Sequence, residues 1–172
     1  VLEKNIMPET GVTPLLWKNV LIEPAFEMSS SILKQDRLNN EWYRLRLSAP
    51  PSFFKKFTPG MFVMIKIVDR ENDPFLRRPF SIAYISVENG WFEVIYRLAG
   101  KGSLLLSLKK QGEYLNLIGP LGNGFEISNN FSSLCLVAGG IGIAPLLSLQ
   151  QTIIDVKGVA SPFLWGVGSR DY

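Results

Sequence analysis

Two arginines and a serine stand at the start of an apolar run, in the segment FLRRPFSIAY at residues 75–84. The guanidinium of Arg78 can bind a phosphate group through two parallel hydrogen bonds. Pro79 fixes the backbone torsion φ as a strand begins. Phe80 offers a surface for packing against an aromatic ring, and the Ser81 hydroxyl or the neighbouring N–H can contact a ring nitrogen. The segment fits either an anion site beside a ring or a charged turn that enters a strand.

A second segment, GKGS at residues 100–103, has the composition of a loop that holds a phosphate. Gly102 allows a ligand to approach the main chain closely. Ser103 stands at or near the N-cap of a helix predicted over 103–110. The N–H groups and the positive dipole end of a helix favour a pyrophosphate at such a point. An ordinary glycine turn with a serine cap is the alternative.

A third segment, GGIGIAP at residues 139–145, follows an apolar run and precedes a helical pattern. A strand, a glycine turn and a helix in this order are typical of dinucleotide-binding folds. Pro145 stands where the standard pattern has its third glycine, so the segment is a variant. A tight turn between a strand and a helix, without a ligand, is the alternative.

The elements that must position these segments follow from the pattern of the whole chain. Short segments with strand character, separated by turns such as Asn89-Gly90, predict an antiparallel barrel or sandwich. These segments are 31–35, 42–47, 61–68, 80–86, 91–98 and 114–118. After Gly119 the pattern changes to one βαβ unit, with strands in 133–140 and 162–169 and a helix in 141–154.

Composition limits the chemistry of the 172 residues. The net charge is only +3 and no long run of cations occurs, which argues against nucleic-acid binding. One cysteine and no histidine exclude an internal disulfide, a Ser-His-Asp triad and a histidine-based zinc site within these residues. Cys135 falls in a predicted strand and is expected to be a small core residue. We expect a cytoplasmic protein without a membrane span, in which a cofactor carries any difficult chemistry.

The order of the motifs is more specific than any one of them. The segments RPFS, YRLAGKGS, GPLGNGF and GGIGIAP, in this order, resemble the ferredoxin-NADP reductase superfamily over residues 31–171. Within it, the likeness is to the electron-transfer subunits of dihydroorotate dehydrogenase B. The resemblance implies a six-stranded antiparallel Greek-key barrel that binds FAD, followed by part of a Rossmann-like domain that binds NAD. The expected division is a leader at 1–28, the barrel at 29–125 and an incomplete nucleotide domain at 126–172.

The resemblance also implies which residues hold the cofactors. Those assigned to FAD are Arg78, Pro79, Phe80, Ser81, Ile95, Tyr96, Arg97, Gly102 and Ser103. Those assigned to the phosphates of the nicotinamide nucleotide are Gly139, Gly140, Gly142, Ala144 and Pro145. Many members of the superfamily have a tyrosine where Phe80 stands, so Phe80 keeps the packing surface and loses the hydroxyl. No acid–base residue on this chain is implied, because the flavin carries the chemistry.

The implied function is electron transfer within a hetero-oligomer. Electrons would pass from an FMN-containing dihydroorotate dehydrogenase catalytic subunit through a [2Fe-2S] cluster and FAD to NAD⁺, in pyrimidine biosynthesis. The cysteines that would hold the cluster are absent from this sequence. Two other functions fit the same residues: a stand-alone NAD(P)H–flavin or ferredoxin reductase, and a non-catalytic barrel that serves protein contact.

Overall fold

Eight strands and three helices make up the part of the chain that the computed structural model describes, residues 26–68, 74–126 and 133–168. Their order is β1 (Glu27–Arg37), β2 (Trp42–Ser48), α1 (Pro51–Lys56), β3 (Phe62–Lys66), β4 (Arg78–Ser86), β5 (Trp91–Arg97), α2 (Lys101–Ser107), β6 (Tyr114–Leu121), β7 (Leu136–Gly139), α3 (Ile143–Lys157) and β8 (Phe163–Gly166). A single 3₁₀ turn, Gly140–Gly142, links β7 to α3. Residues 1–25 of the predicted leader lie outside the described residues.

The first six strands close into an antiparallel barrel in the order β1-β2-β5-β4-β3-β6. This confirms the predicted barrel. In β5, side chains alternate between the two faces of the strand, and the face with Phe92, Val94 and Tyr96 packs into the barrel. Phe92 and Val94 are fully buried and Tyr96 is nearly so. The hairpin between β4 and β5 turns at Asn89-Gly90, where Gly90 has a φ of +64°. Closure pairs every strand of the barrel on both sides, so no long edge is left open.

Two short helices differ from the sequence prediction. α1 begins at Pro51, between the predicted strands 42–47 and 61–68, where no helix is predicted. Proline is well tolerated in the first turn of a helix, and Phe53 then buries its ring against Phe92. The helix predicted over 103–110 is present with different bounds, and Ser103 is its third residue and not its N-cap. α2 begins at Lys101 with Gly100 as its N-cap and ends at Ser107.

The last part of the described chain is the predicted βαβ unit. β7 and β8 pair in parallel. α3 packs on one face of this sheet, where Leu149 and Ile153 of the helix form a cluster with Leu136 of β7. The opposite face is open, with Val137 68% and Leu164 60% exposed. The expectation for Cys135 is wrong: it precedes β7 and is exposed, because the strand begins one residue later with its inward side at Leu136.

The βαβ unit lies against the barrel along β4 and β5. An aromatic contact adds to this junction, since the rings of Trp42 and Trp165 meet edge to face at 6.1 Å. Trp165 Nε1 also donates a hydrogen bond to the carbonyl oxygen of Gly140, at 2.9 Å. Within the described ranges, no helix combines the length and the apolar character that crossing a bilayer requires.

Candidate functional site

A cleft of about 390 Å³ lies between the start of β4 and the start of α2. We call it the arginine cleft. The barrel brings its two walls together, although the segments RPFS and GKGS are more than twenty residues apart in the sequence. The lining residues are Pro74, Arg78, Pro79, Phe80, Arg97, Ala99, Gly100, Lys101, Gly102 and Ser103.

Arg78 carries the charge on the β4 wall of this cleft. Its Nη1 donates to the carbonyl oxygen of Leu76 at 3.0 Å, and among the described residues no carboxylate forms an ion pair with it. Arg77 differs, because it donates to Glu27 Oε1 at 2.8 Å and to the Asn116 carbonyl at 3.0 Å. Of the two neighbouring arginines, Arg78 is therefore the one whose guanidinium has capacity left for an anion.

The α2 wall is shaped by a glycine and a serine. A Cβ placed on Gly102 would lie 3.3 Å from Ile67 Cδ1, which is a tight contact, and 3.7 Å from Arg78 Cγ, which is an ordinary one. Ser103 Oγ accepts hydrogen bonds from the N–H groups of Ala99 (2.8 Å) and Gly100 (3.2 Å). The serine thus ties the two residues that precede α2 to the third residue of the helix.

A second cleft, of about 500 Å³, lies where the barrel meets the start of α3. We call it the junction cleft. Its barrel wall comes from β4 and β5 and its other wall from the turn before α3. The lining residues are Pro79, Phe80, Ser81, Ile95, Tyr96, Arg97, Ala99, Ile141, Gly142, Ala144 and Pro145. Four of them, Pro79, Phe80, Arg97 and Ala99, also line the arginine cleft, so the two clefts are continuous.

Aromatic rings form the floor of the junction cleft. Phe80 meets Tyr96 edge to face at 5.7 Å, and Tyr96 stacks on Tyr43 at 5.5 Å. Burial, with a smaller contribution from Tyr43, raises the pKa of the Tyr96 phenol. Tyr96 therefore stays neutral over the ordinary pH range and presents an apolar, uncharged floor. Ser81 adds a hydroxyl at the edge of this floor.

The structure brings most of the predicted site residues to one continuous surface. All nine residues assigned to FAD line one or both clefts, and Gly142, Ala144 and Pro145 line the junction cleft. Gly139 and Gly140 line neither of them. Pro74, Ala99 and Ile141 line the clefts although the sequence did not assign them to a ligand. Pro74 stands next to the segment 75–84, while Ala99 and Ile141 lie inside the segments YRLAGKGS and GGIGIAP.

Electrostatics at the two clefts are positive. Arg97 is half exposed and its Nε donates to Glu41 Oε2 at 2.7 Å, which orients the side chain at the end of β5. Lys101 adds a cation at the first position of α2. No group of three or more His, Cys, Asp or Glu side chains suited to a metal ion occurs among residues 26–68, 74–126 and 133–168. The site has the charge expected for an anionic organic ligand.

Comparison with known proteins finds similar electron-transfer subunits. No family model matches the chain. It is 39% identical over 121 residues to the dihydroorotate dehydrogenase B (NAD(+)) electron transfer subunit of Desulforamulus reducens, covering 70% of this chain and 45% of that protein. It is 34% identical over 142 residues to the subunit of the same name from Lysinibacillus sphaericus, covering 81% and 54%.

The chain is a homologue of these electron-transfer subunits. Among solved structures, it matches an NADH-dependent reduced ferredoxin-NADP oxidoreductase with a TM-score of 0.70 and 31% identity, covering 83% of this chain and 50% of that one. The ferredoxin reductase of a carbazole 1,9a-dioxygenase matches with a TM-score of 0.72 at 21% identity, covering 87% and 46%, which shows the shared fold. The chain spans about half the length of the curated relatives it matches.

Proposed function

We propose that this homologue of the electron-transfer subunits binds FAD in the arginine cleft and the junction cleft and passes electrons between a partner subunit and NAD⁺. The observation that carries the proposal is the continuity of the two clefts. One offers an arginine and a helix start suited to a pyrophosphate, and the other offers an aromatic floor suited to a flat ring. FAD has both parts in one molecule.

The residues present fit this cofactor. Arg78 would hold the pyrophosphate from β4, while Gly102 and Ser103 would admit it to the main chain at the start of α2. Phe80 and Ser81 would contact the isoalloxazine ring, and Ile95, Tyr96 and Arg97 would complete its site from β5. When bound, FAD supplies the two-electron redox chemistry, and the part of the protein is to orient it and to limit access of water.

The nicotinamide nucleotide would be held on the other wall of the junction cleft. We propose that the turn formed by Gly139, Gly140 and Gly142, together with Ala144 and Pro145, binds its phosphates at the start of α3. Gly140 has a φ of +49°, which favours glycine at that position of the turn. The proposed units are accordingly a barrel at 29–125 and a nucleotide-binding unit at 126–172.

The proposed partner is an FMN-containing dihydroorotate dehydrogenase catalytic subunit, with a role in pyrimidine biosynthesis. The name of the homologues supports this, because it describes them as electron transfer subunits of dihydroorotate dehydrogenase B. The [2Fe-2S] cluster that the family resemblance implies would need cysteines beyond the one in this sequence. The proposal for this chain is therefore limited to FAD, NAD and the hetero-oligomer.

The experiment is a titration of the purified chain with FAD. We expect the visible absorption of a bound flavin and quenching of flavin fluorescence with a one-to-one end point. Riboflavin, which lacks the pyrophosphate, serves as the matched ligand and should bind more weakly. A colourless chain that gains no flavin on addition of FAD would reject the proposal and favour the non-catalytic barrel.

A second function, a stand-alone NADH-dependent ferredoxin or flavin reductase, is favoured by one comparison. The solved structure at 31% identity is an NADH-dependent ferredoxin-NADP oxidoreductase. The two functions are separated by mixing the FAD-loaded chain with an FMN-containing dihydroorotate dehydrogenase. Co-elution in size-exclusion chromatography and reduction of the chain's flavin by dihydroorotate favour the subunit. Absence of both, with reduction of ferredoxin by NADH, favours the reductase.

A further inference from the structure

α3 has two different buried faces. The face with Leu149 and Ile153 packs on β7 and β8 and is apolar. The face toward the barrel carries Ala144, Ser148 and Gln151, which are spaced by four and three residues and so share one side of the helix. Ser148 is only 1% exposed, and burying a hydroxyl or an amide in this way is costly unless its hydrogen bonds are formed.

Gln151 bonds a piece of strand main chain that the barrel leaves unpaired. β3 pairs with β4 only along Arg78–Ser81, so among the described residues the same edge of β4 has no strand partner near Ile85. Gln151 Oε1 accepts a hydrogen bond from the Ile85 N–H at 3.2 Å, and Nε2 donates to the Ile85 carbonyl at 3.0 Å. The side-chain amide therefore replaces the missing strand at this residue.

Ser148 makes a second bond one helical turn nearer the junction cleft. Its Oγ accepts from the N–H of Gly60 at 3.3 Å and donates to the Pro145 carbonyl at 2.8 Å. Gly60 belongs to the turn before β3 and has a φ of +94°. That turn is fixed from the other side by Phe125, whose N–H donates to the Pro59 carbonyl at 2.7 Å.

We propose that Ser148 and Gln151 are positioning residues that set the distance between the two walls of the junction cleft. Both bonds run from α3 to the barrel main chain, and α3 begins at the wall formed by Gly142, Ala144 and Pro145. The inference rests on the proposed function in one respect: that wall holds the nicotinamide nucleotide and the barrel wall holds the flavin. Electron transfer between the two then depends on this spacing, because a misplacement of about 1 Å can cost about a hundredfold in rate.

The test compares Gln151→Leu with Gln150→Leu in the FAD-loaded chain. Gln150 is the matched control, because its Nε2 bonds the Ser161 carbonyl at 3.3 Å, within the βαβ unit. For each variant we would measure amide hydrogen exchange at Ile85, the dissociation constant for FAD, and the reduction of the flavin by NADH over a range of NADH concentrations.

For Gln151→Leu we expect about tenfold faster exchange at Ile85, because the hydrogen bond from the Ile85 N–H to the side-chain amide is lost. We also expect FAD affinity within about twofold of wild type, and a limiting reduction rate lowered about tenfold or more. Gln150→Leu should leave the Ile85 exchange and the limiting rate unchanged. A merely structural role for Gln151 would instead lower FAD affinity and leave the limiting rate of the loaded fraction intact.

Either of two results in Gln151→Leu would overturn the inference. One is an unchanged limiting rate although Ile85 has lost its protection from exchange, and the other is an Ile85 amide that remains protected from exchange. If the wild-type chain binds no FAD, or its flavin is not reduced by NADH, the proposed function fails. Amide exchange at Ile85 then still decides whether the Gln151 bond holds α3 to the barrel. If Gln151→Leu does not fold, Ser148→Ala takes its place. Amide exchange at Gly60 is then measured in place of exchange at Ile85. Faster exchange with a lower limiting rate is the expected result, and an unchanged limiting rate or unchanged exchange would overturn the inference.

Discussion

Replacing Arg78 with alanine should weaken FAD binding and leave the fold intact. Arg78 lies at the mouth of the barrel, makes one hydrogen bond to its own loop at Leu76, and has no carboxylate partner among the described residues. A hydrogen bond to a charged group contributes about 1.5 to 3 kcal/mol. Since about 1.4 kcal/mol corresponds to a tenfold change in affinity, the expected loss is about tenfold to a hundredfold in the dissociation constant.

The assay is fluorescence titration of the apoprotein with FAD and, separately, with riboflavin. Arg78 is proposed to contact the pyrophosphate, so the substitution should weaken FAD binding and leave riboflavin binding unchanged. The loss should also shrink as salt is added, because a partly exposed charge interaction is screened. Arg78→Lys should recover part of the affinity, since lysine keeps the charge and loses the paired donors of the guanidinium.

Arg77→Ala is the matched control one residue away. Its guanidinium is already held by Glu27 and by the Asn116 carbonyl, so it has little to offer a ligand. We expect FAD affinity within about twofold of wild type for this variant, and a small loss of stability typical of an exposed ion pair. Equal FAD affinity in Arg78→Ala and wild type would refute the assignment, and an equal loss for riboflavin would show that the substitution acts through the fold.

Three further substitutions test the barrel that carries the site. Gly60→Ala should lower the free energy of unfolding by about 2 kcal/mol, measured by urea denaturation, because φ is +94° and the new Cβ would lie 2.7 Å from Phe125 Cδ2. Gln35→Leu should lower it by about 1 kcal/mol, since the two N–H groups of Gln35 Nε2 are shared among three carbonyl oxygens at and just after the end of α2. Asp36→Asn should make stability less sensitive to acid. Hydrogen bonds from Arg44 and then Lys34 hold the pKa of the Asp36 carboxyl below its ordinary value. Its contribution to stability is therefore present above the ordinary aspartate pKa and is lost as pH falls through the lower pKa of the folded state.

Each of these has a contrary outcome that the same measurement detects. Gly112→Ala is the control for Gly60→Ala, because Gly112 has a φ of +88° but no atom within 4 Å of the added Cβ. If Gly112→Ala lowers the free energy of unfolding as much as Gly60→Ala does, the contact with Phe125 does not explain the loss at Gly60. Unchanged stability in Gln35→Leu would show that α2 does not need this cap. For Asp36→Asn, the urea midpoint is followed between about pH 5 and about pH 3. If it depends on pH as in wild type, the ion pair of Asp36 does not contribute to the acid sensitivity of stability.

Local patterns were enough to predict the barrel and the faces of its strands. In β5, alternation puts Phe92, Val94 and Tyr96 inside, and Asn89-Gly90 supplies the hairpin turn. Two glycine-rich segments also predicted loops, and residues of both line the two clefts. These features depend on neighbours in sequence, which is why they can be read from one chain.

Features that depend on distant contacts could not be predicted. Ser103 looks like an N-cap, but its hydroxyl reaches back to the N–H groups of Ala99 and Gly100 from the third helical position. Cys135 looked buried because the apolar run around it is continuous, while the start of β7 is set by pairing with β8. Gln151 is one of two adjacent glutamines, and nothing in the sequence says which of them reaches Ile85.

The closed barrel and the open two-stranded sheet carry very different amounts of buried surface. Among the described residues, the barrel cluster holds fifteen buried apolar side chains and the cluster under α3 holds three. Opening of the smaller unit therefore costs less free energy than opening of the barrel, and the two need not unfold together. The wall proposed for the nicotinamide nucleotide is thus carried by the less stable half, and Gln151 and Ser148 couple it mechanically to the more stable one.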